Sequence, residues 1–126
     1  QRVHFEGRQN NVAEYYQKAS VVVLTSETEG WPLALTEAQA QGCVCVAFDC
    51  TSGIKDVLSL NGECGFIVPA FDEQKFAETL LKIVAMIDSE MLCIRKNAVA
   101  KRLEYVPEVI SEKWRLLFDK LYEDKR

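Results

Sequence analysis

The sequence predicts an α/β fold: a Rossmann-like parallel sheet with flanking helices. Three observations carry that prediction. Apolar runs of strand length alternate with stretches of helical periodicity over about residues 1–70. One run, Cys43-Val44-Cys45-Val46-Ala47-Phe48, is apolar throughout, as suits a strand buried on both faces of a parallel sheet. The connections are short, so each crossover is expected to be right-handed. From about residue 71 to 126 the pattern is helical only, and the whole chain is expected to form one domain.

Taken in order, Val3-His4-Phe5 reads as a short strand ending at Gly7. Asn10 or Asn11 stands where a helix cap is expected, and Val12, Tyr15, Tyr16 and Ala19 follow at helical spacing. Val21 to Thr25 is the second strand. After a polar loop, Pro32 fits the first position of a helix, where a missing N–H is harmless. Leu33, Ala34, Ala38 and Gln41 are expected on one face of that helix, and Gly42 ends it. Cys43 to Phe48 is the third strand, with Cys43 and Cys45 sharing a face. Thr51 or Ser52 caps a short helix running to Leu58 or Leu60, and Asn61-Gly62 signals a turn. Gly65 to Val68 is the fourth strand, stopped by Pro69. Asp72 is placed to cap a helix to about Ile87, with Phe76, Leu80, Ile83, Val84 and Ile87 inward. Ser89 caps another to about Leu103. Pro107 starts the last, with a stripe of Ile110, Trp114, Leu117, Phe118 and Leu121, before a solvated end at Glu123-Asp124-Lys125-Arg126.

Composition narrows the class. The chain has 126 residues, enough for one domain and a modest core. The net charge of −4 gives no global basic footprint for nucleic acid. No apolar run approaches the roughly 20 residues of a membrane span. The first residues, Gln1-Arg2-Val3-His4, do not read as a signal peptide. The five cysteines form no Cys-x-x-Cys pair, and His4 is the single histidine. Reduced, buried thiols in a cytoplasmic protein without a metal site are therefore expected.

The functional signal lies in Ser26-Glu27-Thr28-Glu29-Gly30-Trp31-Pro32-Leu33-Ala34-Leu35-Thr36-Glu37-Ala38. This is strand, tight loop, helix. Ligands of open α/β sheets bind beyond the carboxyl ends of the strands. The helix N-terminus there offers unpaired N–H groups and partial positive charge, which suits phosphate. Glu29 and Glu37 frame it, and an ionised carboxylate only accepts hydrogen bonds. Neighbouring hydroxyls of a sugar or ribose are natural donors to such groups. A phosphate core with polyol ends, as in a nucleotide sugar, satisfies every group.

Ser26-x-x-Glu29-Gly30-x-Pro32-x-x-x-x-Glu37-Ala38 also resembles the signature of the family 4 retaining glycosyltransferases of GT-B fold. Further matches stand in order: Val3-x-Phe5-x-Gly7 and Tyr16-x-x-Ala19 before it; Gly42, Val44, Val46, Gly53 and Gly65-Phe66-Ile67-Val68-Pro69 after it. The likeness covers roughly residues 1 to 87 and is only a pattern beyond. The spacing of the two glutamates alone is weak evidence; the ordered set is specific.

The resemblance implies the later part of a C-terminal, donor-binding domain, hence an incomplete half of a GT-B fold. The enzyme would move a sugar from a nucleoside-diphosphate sugar to a hydroxyl acceptor with retention, using neither metal nor cofactor. It implies that Glu29 contacts donor-sugar hydroxyls near the reacting carbon and that Glu37 binds the ribose. Backbone N–H groups of Gly30, Trp31, Leu33 and Ala34 would face sugar and diphosphate, with Gly53 near the sugar; Trp31 reads equally as a packing residue. Gly7 and Arg8 would lie by the nucleobase, although an arginine there is also ordinary surface. Two departures stand out: Asp56 where the family more often has Glu, and Cys43 where many relatives have Pro.

The same resemblance puts two strands, with a basic Arg/Lys pair, before the segment near Val3, and an acceptor-binding N-terminal domain before those. The chain alone is therefore expected to be an inactive piece whose sheet either closes the gap or leaves unpaired edges, with an exposed apolar face on its last helix. Peripheral membrane association is open to a full-length enzyme. Two other readings are a GT-B-like epimerase and a non-catalytic nucleotide-sugar-binding or interaction module.

Overall fold

A computed structural model describes residues 2–60 and 62–123. Asn61 of the expected turn and residues 124–126 of the expected solvated end lie outside the described residues. The elements run α1 (Val12–Lys18), β1 (Val21–Leu24), α2 (Leu33–Ala40), β2 (Val44–Phe48), α3 (Ser52–Leu58), β3 (Phe66–Val68), α4 (Glu73–Val84), α5 (Asp88–Arg102) and α6 (Pro107–Glu123), with a single 3-10 turn at Leu103–Tyr105. The sheet is parallel throughout, in the order β1-β2-β3. Val21 pairs with Val44, and Val46 with Phe66.

β2 is buried at every residue. Its side chains alternate between two cores, as the period of two in a strand requires. Cys43, Cys45 and Ala47 join Leu35, Ala38, Ile54, Val57 and Leu58 beneath α2 and α3. Val44, Val46 and Phe48 join Phe66, Val68, Phe76, Ile83 and Ile94 beneath α4 and α5. The two cysteines thus share a face, as expected. All five thiols are free, and burial pushes the Cys45 thiol up to about 12.

Four strands were expected, and three form. Val3-His4-Phe5 is irregular and exposed, with Phe5 93% accessible. Strand-like letters make a strand only beside a partner with which to share hydrogen bonds. Among the described residues none pairs with the outer edge of β1, where Val23 is exposed.

Helix α2 starts one residue later than expected, with Pro32 just outside it. It ends on Gly42 at φ +76, where the Gly42 N–H donates to Gln39 O and the Cys43 N–H to Ala38 O. That is a Schellman closure, and the left-handed residue is glycine because it has no Cβ to clash. The buried residues of α2 are Leu35, Ala38 and Gln39. Leu33 and Gln41 are exposed and Ala34 is half-buried. The turn at Pro32 sets the helix phase, so i, i+3, i+4 falls on 35, 38 and 39 rather than on the apolar letters.

Asp72 caps α4, its carboxylate accepting from the Lys75 N–H at 2.8 Å. Phe76 and Ile83 point inward, but Val84 and Ile87 are exposed. Ile87 is out because α4 stops at Val84, and Ile87 instead precedes α5 as its cap residue. Glu90, not Ser89, serves that end: its carboxylate accepts from the Ile87 N–H at 3.3 Å. On α6 the expected stripe forms, with Trp114 stacked on Phe118, yet only Ile110 is half-buried.

Gln39 has no exposed surface. Its Nε2 donates to Val57 O and Cys64 O, each at 3.2 Å, tying α2 to the end of α3 and the approach to β3. Gln39→Leu would leave two buried carbonyls without this donor, at about 1–3 kcal/mol for such a loss. Urea unfolding should show the midpoint falling with little change in slope.

Candidate functional site

The carboxyl edge of β1 opens into the loop leading to α2. Pro32 has φ −78 and ψ 72, and the Leu33 N–H donates to Trp31 O at 2.8 Å. This is an inverse γ-turn centred on proline, whose ring already holds the required φ. The Leu35 and Thr36 N–H groups both donate to Pro32 O. Leu33 N–H is therefore closed within the turn rather than presented to a ligand. Among the described residues, the N–H groups of Gly30, Trp31 and Ala34 donate to no protein acceptor. Those three are the donors that the turn leaves open.

Gly53, the first-turn glycine of α3, is buried against this loop. A Cβ there would stand 3.2 Å from Pro32 Cδ, 3.3 Å from Gly30 O and 3.8 Å from Trp31 Cε3. Glycine lets α3 abut the turn, so the structure brings Gly30, Trp31 and Gly53 together. Trp31 is 38% exposed and borders an open groove of about 1160 Å³, which Asp49, Lys55, Tyr105 and Lys113 also line. Lys55 pairs with Asp49 at 2.8 Å.

Glu29 is half-buried in the loop and Glu37 is exposed on α2. Glu37 acts on Tyr16 of α1: burial first, then this carboxylate, raises the Tyr16 phenol above its ordinary value. Glu37 thus lies on the side of α2 that meets α1. Gly7 and Arg8 are exposed in the segment before α1. That segment is tied to α1 by Tyr15, whose hydroxyl donates to the Glu6 carboxylate at 3.2 Å. Neither Gly7 nor Arg8 borders the groove beside Trp31.

Sequence reasoning missed Tyr105. Its ring meets Trp31 edge-on, centroids 4.9 Å apart and planes at 65°. Its hydroxyl donates to Asp56 O at 2.6 Å, on α3. Burial raises its phenol, so it stays a donor at neutral pH. Nothing near Tyr105 in the chain signals this contact, because its partners lie on elements far earlier in sequence.

These features define an α/β domain with a donor-rich turn at the carboxyl edge of a parallel sheet. The family model described as "Glycosyl transferases group 1" matches residues 1–86, and the chain belongs to that family. It is 34% identical over 116 residues to an uncharacterized glycosyltransferase of Haemophilus influenzae, covering 90% of this chain and 31% of that protein. It is 33% identical over 107 residues to the amylovoran biosynthesis glycosyltransferase AmsD of Erwinia amylovora, covering 82% and 28%. Among solved structures, TarM superposes with a TM-score of 0.78 at 28% identity, covering 90% of this chain and 22% of that one. Sucrose-phosphate synthase from Thermosynechococcus elongatus gives 0.73 at 26% identity, covering 90% and 28%. The architecture is part of the GT-B fold, and the chain spans about a third of the length of these two curated relatives. No helix among the described residues is long and apolar enough to cross a membrane.

Proposed function

We propose that this chain is the donor-binding part of a retaining glycosyltransferase that moves a sugar from a nucleoside-diphosphate sugar to a hydroxyl acceptor, without a metal or other cofactor. The observation that carries the reading is the exposed turn at Gly30 and Trp31. It holds three open N–H donors, with Glu29 before it and Glu37 after it, inside the segment that matches the family. The open donors and the α2 N-terminus stabilise the leaving diphosphate as charge builds on it. Glu29 accepts hydrogen bonds from the donor sugar and holds it in reacting geometry. Glu37 accepts from the ribose hydroxyls, and Gly7 and Arg8 border the base. With one glutamate on the sugar and the other on the ribose, the pair does not act as a glycosidase pair, which needs two carboxyls about 5 Å apart across one bond. The acceptor is held by a further domain of the whole protein. Five unpaired cysteines go with a cytoplasmic location.

Calorimetric titration of the chain with UDP, GDP and ADP tests this. One of the three is expected to bind, and Glu37→Gln to weaken it by about tenfold, the scale of a hydrogen bond to a charged group. If none binds a chain whose circular dichroism is native, a non-catalytic interaction module is the better reading.

A further inference from the structure

One contact that holds the donor turn is made from far along the chain. Trp31 is the one residue of the turn whose side chain is held by another ring, and that ring belongs to Tyr105, between α5 and α6. Tyr105 is held in turn on two sides. Its hydroxyl is bonded to Asp56 O on α3, the helix whose Gly53 abuts Pro32 and Gly30. The Lys101 ammonium lies 5.9 Å from its ring centre, on α5. Trp31 therefore sits in a bracket: α3 behind it, and the Tyr105 ring at its edge.

An edge-to-face pair has a preferred geometry and so fixes the orientation of both rings. Trp31 precedes Pro32, whose φ is locked and which has no N–H, so a change in the backbone angles of residue 31 is taken up on its N-terminal side and re-aims the N–H groups of Trp31 and Gly30. The groove beside Trp31 is bordered by Tyr105 as well.

We infer that Tyr105 is a positioning residue for the donor turn: through Trp31 it sets the direction of the open N–H groups at Gly30 and Trp31, and so the affinity for the diphosphate of a nucleotide sugar. The inference rests on the proposed function for its ligand, but its geometry stands apart from it.

Trp31 and Trp114 are the two tryptophans, so Trp114→Phe leaves Trp31 as sole reporter. In that background, Tyr105→Leu should shift Trp31 emission to the red and raise its quenching by acrylamide before any ligand is added. Whichever of UDP, GDP or ADP binds the parent should bind this variant about tenfold more weakly, the upper range of one aromatic pair. Tyr105→Phe keeps the ring and should restore both emission and affinity to within about threefold, since one exposed hydrogen bond is lost. Parental emission and affinity in Tyr105→Leu would overturn the inference. So would equal losses in the Leu and Phe variants, which indicate general loosening. A parent that binds none of the three nucleotides refutes the proposed function instead, and the emission arm then decides alone whether Tyr105 holds Trp31.

Discussion

Gly65→Ala should destabilise the domain by about 3 kcal/mol, at the upper end of overpacking costs. Gly65 precedes β3 at φ +158, and an added Cβ would lie 2.7 Å from Cys45 O and 2.9 Å from Leu58 Cδ2. The leucine end has some freedom. The carbonyl has little, because it belongs to β2, which is bonded to a strand on each side. Relief must come from moving β3 away from β2, which opens both cores at once. Gly42→Ala is the comparison: its φ of +76 is also one that alanine adopts reluctantly, but its missing Cβ faces open space. It should cost only about 1 kcal/mol, the ordinary penalty of the left-handed region. Urea midpoints of the two variants measure the difference. A Gly65→Ala loss no larger than that of Gly42→Ala would show that the sheet yields more easily than its hydrogen bonding suggests.

Glu29→Gln, made in the full-length protein, should reduce sugar transfer by about 10²–10³-fold, the scale of removing one preorganised electrostatic contact at a reacting centre. The amide keeps the size of the side chain and loses its charge. Affinity for the nucleoside diphosphate without its sugar should hardly change if, as proposed, Glu29 meets the sugar alone. Glu37→Gln should do the opposite in proportion, weakening the nucleotide whether or not a sugar is attached. Turnover with each variant, set beside calorimetry of the free diphosphate, separates the two roles. Reversed patterns would mean that the assignments of sugar and ribose must be exchanged.

How much of this was legible in the sequence depended on how local the cause was. The buried strand at Val44–Phe48, the cap at Asp72 and the stop at Gly42 follow from residues a few positions apart, and each forms. The strand expected at Val3-His4-Phe5 needs a partner that its own letters cannot supply, and it does not form. The phase of α2 departs from its apolar letters, since Leu33 and Ala34 lie outside the buried set of Leu35, Ala38 and Gln39. Around the candidate site, the order of strand, loop and helix could be read from the sequence. The closure of Leu33 N–H onto Trp31 O could not, since it depends on the ψ adopted at Pro32. Gln39 and Tyr105 were invisible for a further reason. Gln39 makes its bonds to backbone carbonyls, which carry no residue code, and Tyr105 meets the ring of a residue far earlier in the chain.

β2 serves as a party wall. From Cys43 to Phe48 successive side chains belong to alternate compartments, and both compartments are closed to water. Either set tolerates replacement by groups of similar bulk, because each chamber is filled on its own. An insertion or deletion of one residue is a different kind of change: it sends every later side chain through the wall to the wrong chamber. Variation in this stretch is thus free in lettering and fixed in length.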